Sequence, residues 1–97
     1  MKKLFKINEQ DNVYVVKVPL TKGELLEIEG QQIVVPYDLG RGHKLAACDI
    51  PKGEQVFKFG LPIGSATIAI QIGEHVHLHN LKSNYLPTYS KDDRFNQ

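Results

Sequence analysis

A single cysteine, Cys48, stands in the 97-residue chain, so no internal disulfide can form and nothing points to an oxidising compartment. An excess of one charge is also missing. Twelve Lys+Arg oppose eleven Asp+Glu for a net charge of +1, which would reach +5 only with all four histidines protonated. That balance argues against a nucleic-acid partner, which calls for a basic surplus gathered on one face. The one basic cluster, Lys2, Lys3 and Lys6, is short and terminal and reads as a solvated end. No long apolar run is present either. The uncharged stretch Gly60 to Gly73 is interrupted by Pro62 and Gly64 and is too short for a bilayer, which needs about 20 residues. No basic segment followed by an apolar one opens the chain, so neither a secretory signal nor a membrane partner is expected, and the protein reads as cytoplasmic. Any helical stripe of more than about two turns is lacking as well.

What remains is period-two alternation of β-branched residues, cut every eight to twelve residues by Gly, Pro or Asn/Asp, the pattern of an all-β domain of short strands. Strands are expected at Val13 to Val18, at Leu25 to Ile28, and at Gln32 to Val35, with Glu29-Gly30 as the hairpin turn between the last two. Lys44 to Ile50 and Gln55 to Phe59 follow. Ala66, Ile68, Ile70 and Ile72 would share one face of a further strand. If a helical turn exists, Tyr37 to Arg41 is the place for it. One domain over residues 1–81 accounts for this pattern, and residues 82–97 read as a tail that docks a partner or joins to one. In that tail Tyr85, Leu86 and Tyr89 are costly to leave in water.

A short element recurs three times: Leu20-Thr21-Lys22-Gly23-Glu24, Ile50-Pro51-Lys52-Gly53-Glu54 and Ile70-Gln71-Ile72-Gly73-Glu74. Each is an apolar residue, then a Gly-Glu turn, then a new strand. The unequal intervals exclude a regular solenoid and point to a small fold that makes one corner repeatedly. Cys48 lies in the apolar stretch Leu45-Ala46-Ala47-Cys48 and reads as a buried, inert thiol.

Three of the four histidines fall in His75-Val76-His77-Leu78-His79-Asn80. On a strand the three imidazoles share one face, with Val76 and Leu78 on the other. Neighbouring rings then lie about 6.5–7 Å apart and the outer pair about 13 Å, so one metal ion can take two of them and needs another ligand. The alternatives are a proton carrier, since imidazole titrates near neutrality, and a simply solvated face. The fourth histidine sits in Gly40-Arg41-Gly42-His43-Lys44, where backbone amides, Arg41 and Lys44 can receive a carboxylate or a hydroxyl-rich molecule.

Gly42-His43-Lys44-Leu45-Ala46, Asp49-Ile50-Pro51-Lys52-Gly53-Glu54, Lys58-Phe59-Gly60-Leu61-Pro62-Ile63-Gly64 and Gly73-Glu74-His75-Val76-His77-Leu78-His79-Asn80-Leu81 occur in one order and spacing. Together they resemble the SAF domain of the altronate/galactarate dehydratase family, over about residues 3–90, and Asp11-Asn12-Val13 fits its opening strand. The resemblance implies a β-clip fold and a role in metal-dependent removal of water from sugar acids. It implies ferrous iron (Fe2+) or another divalent metal, expected mainly with a large catalytic subunit, with this chain as the small subunit of a split enzyme that is inactive alone. His43 and Lys44 match the family motif and are the expected catalytic pair. His75 and His77 are expected metal ligands, and Arg41, His79 and Asn80 expected substrate contacts at the interface. The histidine-rich strand favours the altronate-like branch or the related sulfolactate sulfo-lyases. The competing readings are a non-catalytic carbohydrate- or metal-binding module and a complete small enzyme. The last is disfavoured because so small a chain cannot easily enclose a charged sugar acid. Exposed strand edges also leave a homo-oligomer open when the chain is isolated.

Overall fold

Among the described residues, alternation over such short stretches gives nine strands and no helix. The computed structural model describes residues 2–83, so the expected tail beyond Ser83 lies outside the described residues. A central antiparallel sheet has the order β1 (Leu4–Phe5), β2 (Val13–Val16), β5 (Lys44–Ala46), β8 (His75–Val76). Between its strands the chain makes two excursions. The first is the hairpin of β3 (Leu25–Ile28) and β4 (Gln31–Val34), and the second is that of β6 (Gln55–Lys58) and β7 (Leu61–Ala66). The short β9 (Leu81–Lys82) adds to β7, pairing Lys82 with Ser65.

Each hairpin is closed at its base by one bridge, Leu20 to Leu39 for the first and Ile50 to Ile70 for the second. The bridge residues begin the repeated corners. In three of them the Gly N–H reaches across the hairpin base or sheet, to Val35, Ala66 and Ala46, and the Glu N–H closes a turn on the residue three before it. Before each hairpin's second or first bridge residue sits an aspartate, Asp38 or Asp49. Its carboxylate accepts the N–H of Lys22 at 2.8 Å in one case and of Ile72 at 2.9 Å in the other. The structure adds a fourth corner, Leu39-Gly40-Arg41-Gly42-His43, in which histidine takes the place of glutamate.

Strand alternation splits the core between the two faces of the central sheet. Val16 and Leu45 join Leu20, Ile28, Val35 and Leu39 under the first hairpin. Val13, Ala46 and Val76 join Ile50, Val56, Ala66 and Ile70 under the second. The Asp11-Asn12 pair fastens the second hairpin to this sheet. Asp11 accepts the N–H groups of Phe59 at 2.9 Å and Gly60 at 2.7 Å, and Asn12 exchanges bonds with Phe57 and Gln55. Burial works against the Asp11 charge, yet the backbone N–H groups aimed at it outweigh that and hold its carboxyl below the ordinary range. Near the chain start Lys3 pairs with Glu24 and Lys6 with Glu29.

The all-β expectation holds, and so does the Glu29-Gly30 turn, where both residues take positive φ. Three details are corrected. The strand expected from Ala66 to Ile72 ends at Ala66, and its real extent, Leu61–Ala66, contains the Pro62 and Gly64 that had read as breaks. A register shift at Val56/Phe57 accommodates the proline, and Gly64 lets β9 approach so closely that a Cβ would lie 2.2 Å from the Lys82 carbonyl oxygen. Tyr37 to Arg41 contains no helical turn, because Leu39 is committed to the bridge with Leu20. Cys48 is exposed rather than buried, since it falls past the end of β5. Partial desolvation and the Asp49 carboxylate push its pKa up, which keeps it a thiol at neutral pH.

Gly73 ties the two halves together: its φ is +85° and a Cβ there would lie 2.4 Å from Ile33 of the first hairpin. Gly23 has nearly the same φ and open space around it. Gly23→Ala is therefore expected to cost about 1–2 kcal/mol from backbone strain alone. Gly73→Ala should cost about 1–3 kcal/mol more, because Ile33 must move out of a packed cluster. Urea unfolding of both variants checks this, and equal losses would show that the contact between the halves carries no weight.

Candidate functional site

The antiparallel pairing of β5 with β8 sets Leu45 opposite His75 and Lys44 opposite Val76. Continued by one residue, that register sets His43 across from His77. Nothing in the sequence spacing of residues 43 and 75 announces this meeting, which depends on both hairpins having closed. His43 Nδ1 lies 3.1 Å from His75 Nε2, and one ring nitrogen from each of His43, His75 and His77 falls within a 4.8 Å group. The His75 and His77 rings stack at 5.3 Å with only 9° between their planes, and His43 and His77 have centroids 5.6 Å apart.

The expected uniform strand through the three histidines is corrected. β8 stops at Val76, and His77 to Asn80 form a turn. Asn80 makes that turn: it is 3% exposed, its side-chain amide donates to the His75 carbonyl at 2.9 Å, and its side-chain oxygen accepts the His77 N–H at 2.9 Å. Because the chain doubles back, the His79 ring sits 5.8 Å from that of His75 instead of the 13 Å or so of an extended strand. For the same reason Leu78, expected to share a face with Val76, is 82% exposed in the turn whereas Val76 is buried.

His75 is the buried member, with 8% of its surface exposed. Desolvation, and after it the positive charges available at His43, His77, His79 and Lys44, push its pKa down to about 4. At neutral pH it is a neutral imidazole, the form that binds a metal. A second contact of His75 has no counterpart among the sequence expectations. The Tyr37 hydroxyl lies 2.7 Å from His75 Nδ1. Tyr37 stands 38 positions away, in the connection between β4 and the fourth corner, and no motif marks it.

The other expected residues are distributed differently. Lys44 follows His43 in sequence, but alternation directs it to the face of Ala46 and Val76, away from the imidazole face. Burial, and next the charge of Lys58, lower its pKa. Arg41 is exposed on the fourth corner, and among the described residues no hydrogen bond or ion pair joins it to the histidines. Asn80 spends its amide on the backbone of the turn, beneath His75 and His77.

The donor set fits a divalent ion of the kind that imidazole suits, iron and zinc included. Two nitrogens bound to one such ion are about 3.0–3.4 Å apart, given bond lengths of about 2.0–2.1 Å, close to the His43–His75 separation. The imidazole face is an open edge. A groove of about 510 Å3 lies elsewhere, lined by Lys6, Glu9, Cys48 and Asp49 among others, and contains none of the histidines. No helix among the described residues is long and apolar enough to cross a membrane.

Residues 2–84 match the family described as altronate/galactarate dehydratase SAF domain. An altronate dehydratase of Bacillus subtilis is 42% identical over 99 residues, covering 100% of this chain and 20% of that protein. An altronate dehydratase of Escherichia coli is 44% identical over 79 residues, covering 81% of the chain and 16% of the relative. The (2R)-sulfolactate sulfo-lyase subunit alpha of Chromohalobacter salexigens is 48% identical over 42 residues, 43% of the chain and 45% of the relative. The chain thus spans about a fifth or less of the two dehydratases' length.

The lowered pKa of His75 has a consequence for the metal-free domain. Its proton is disfavoured by folding, so between the ordinary histidine value of 6.5 and about 4 the unfolded chain binds more protons than the folded one. Stability should therefore be full above pH 6.5 and fall as the pH is lowered toward 4. Urea midpoints read between pH 7 and 5, above most carboxylate titrations, should decline for the native sequence and decline less for His75→Gln. Parallel profiles would contradict the burial argument.

Proposed function

Because the chain belongs to the altronate/galactarate dehydratase SAF-domain family, we propose that it is the histidine-bearing small subunit of an altronate dehydratase-like sugar-acid lyase. A large catalytic subunit would close over its imidazole face. The observation that carries this reading is the group of three imidazole nitrogens from His43, His75 and His77 within 4.8 Å on an uncovered edge. An open edge suits a site completed by a second surface. The much greater length of the related dehydratases supports the presence of such a surface. The relative named as a subunit alpha supports its belonging to a separate chain.

Dehydration of a 2,3-dihydroxy acid breaks the C–H bond next to the carboxylate. Its electron pair becomes the new C=C bond as the β-hydroxyl departs, protonated, as water. The reaction needs a base for the first proton, an acid for the leaving oxygen and positive charge for the carboxylate. Here His43, His75 and His77 would hold Fe2+ or another divalent ion, which supplies Lewis acidity to a substrate oxygen when bound. Arg41, exposed on the corner next to His43, is suited to the substrate carboxylate through a two-pronged contact. His79, exposed beside His75, is suited to a substrate hydroxyl and to its proton. Lys44 adds positive potential at His75 rather than a direct contact, and Asn80 acts by holding the turn. The unpaired Cys48 agrees with a reducing, cytoplasmic setting.

The likeness to a sulfolactate sulfo-lyase subunit favours a second reading of the same site, in which the group leaving from carbon is sulfite. Turnover assays of the complex with the large subunit, on altronate and on (2R)-sulfolactate, separate the two. In that complex His43→Ala is expected to lower turnover at least about a hundredfold while the circular dichroism and assembly of the chain are retained. Wild-type turnover by the assembled variant would leave only a non-catalytic binding module.

A further inference from the structure

Tyr37 joins the imidazole group although neither the motif spacing nor the histidine pattern accounts for it. It leaves the core side of the chain between Val35 and Leu39, both buried, and remains 44% exposed itself. Its ring meets the His75 ring edge-on at 5.4 Å, and its hydroxyl lies 2.7 Å from Nδ1. Nε2 of the same imidazole faces His43 Nδ1 at 3.1 Å. Both ring nitrogens of His75 are therefore occupied, one by a phenol and one by the histidine group.

A neutral imidazole carries one proton, on either nitrogen. A phenol oxygen accepts a hydrogen bond as well as donating one, so it can accept one from Nδ1–H. Where it does so, the lone pair of His75 sits on Nε2 and points at His43 and His77. Were the proton on Nε2, it would be directed into the histidine group and would block a shared ion. Metal-binding histidines are commonly oriented in this way by an acceptor on the ring nitrogen that faces away from the metal.

We propose that Tyr37 is a positioning residue that holds His75 with its proton on Nδ1 and its lone pair on Nε2, aimed at the space shared with His43 and His77. This rests on the reading of the three histidines as a metal centre, but the state of the His75 ring can be observed without any metal.

The test uses the full 97-residue chain and its Tyr37→Phe variant, which keeps the ring and removes only the hydroxyl. Two-bond 15N–1H NMR of the metal-free proteins reports which His75 nitrogen carries the proton. A titration with Zn2+ alone reports affinity. In the native chain the proton is expected on Nδ1, and in Tyr37→Phe a substantial share should move to Nε2. Zn2+ affinity should fall about tenfold or more in the variant, with urea stability little changed. An unchanged His75 signature and unchanged affinity in Tyr37→Phe would overturn the assignment, as would a native proton on Nε2. Loss of stability without any change in the ring signature would reduce Tyr37 to packing and overturn it too. A tautomer that follows Tyr37 in a chain that binds no Zn2+ would uphold the positioning role and overturn the metal reading instead.

Discussion

The pairing of β5 with β8 is the contact on which the candidate site depends. Four residues, Lys44 and Leu45 against Val76 and His75, fix the register by which His43 comes to lie beside His75 and His77. Each strand alone is too short to persist in water, and their pairing is held because both faces of the central sheet are covered by a hairpin lobe. The chemistry at the edge is thus a product of the core. Leu45 and Val76, fully buried on opposite faces, anchor the two strands whose flanking residues are the imidazoles.

The repeated corners explain how so small a chain reaches this arrangement. Two hairpins, each with a bridge at its base and an aspartate bonded across it, return the backbone to the central sheet from either side. At two glutamate corners the carboxylate folds back on its own turn, Glu24 onto the Thr21 N–H and Glu74 onto the Gln71 N–H. Histidine at the fourth corner turns instead to His75. One residue type exchanged within a structural repeat converts a turn-closing side chain into a member of the site. Asn80 does the complementary work on the other strand. It ends β8 and folds His77 and His79 back toward His75, so that residues which an extended strand would spread are gathered.

Much of this was legible in the sequence. Alternation and Gly punctuation gave the class and most strands, and the Gly-Glu element marked three of the four corners because its residues are local. Leu61–Ala66 escaped because Pro62 and Gly64 argue against a strand when only neighbours along the chain are considered. The register shift between the Phe57–Pro62 and Val56–Gly64 pairs and the close passage of Lys82 past Gly64 are tertiary facts. The histidines were identifiable as a group, but their spacing was not, since the side chain of Asn80, four residues past the end of β8, decides it. Tyr37 had no signal at all. Its partner is 38 residues away, and a tyrosine before a bridge residue is indistinguishable from an ordinary loop aromatic.

His43, His75 and His77 are read as one donor set. X-ray absorption at the zinc edge of the Zn2+-loaded chain tests this most directly, because it counts bound imidazoles without requiring a partner or a substrate. Three imidazole nitrogens at about 2.0–2.1 Å are expected, reduced to two in His43→Ala. A first shell with one imidazole or none, or a spectrum unchanged by His43→Ala, would contradict it.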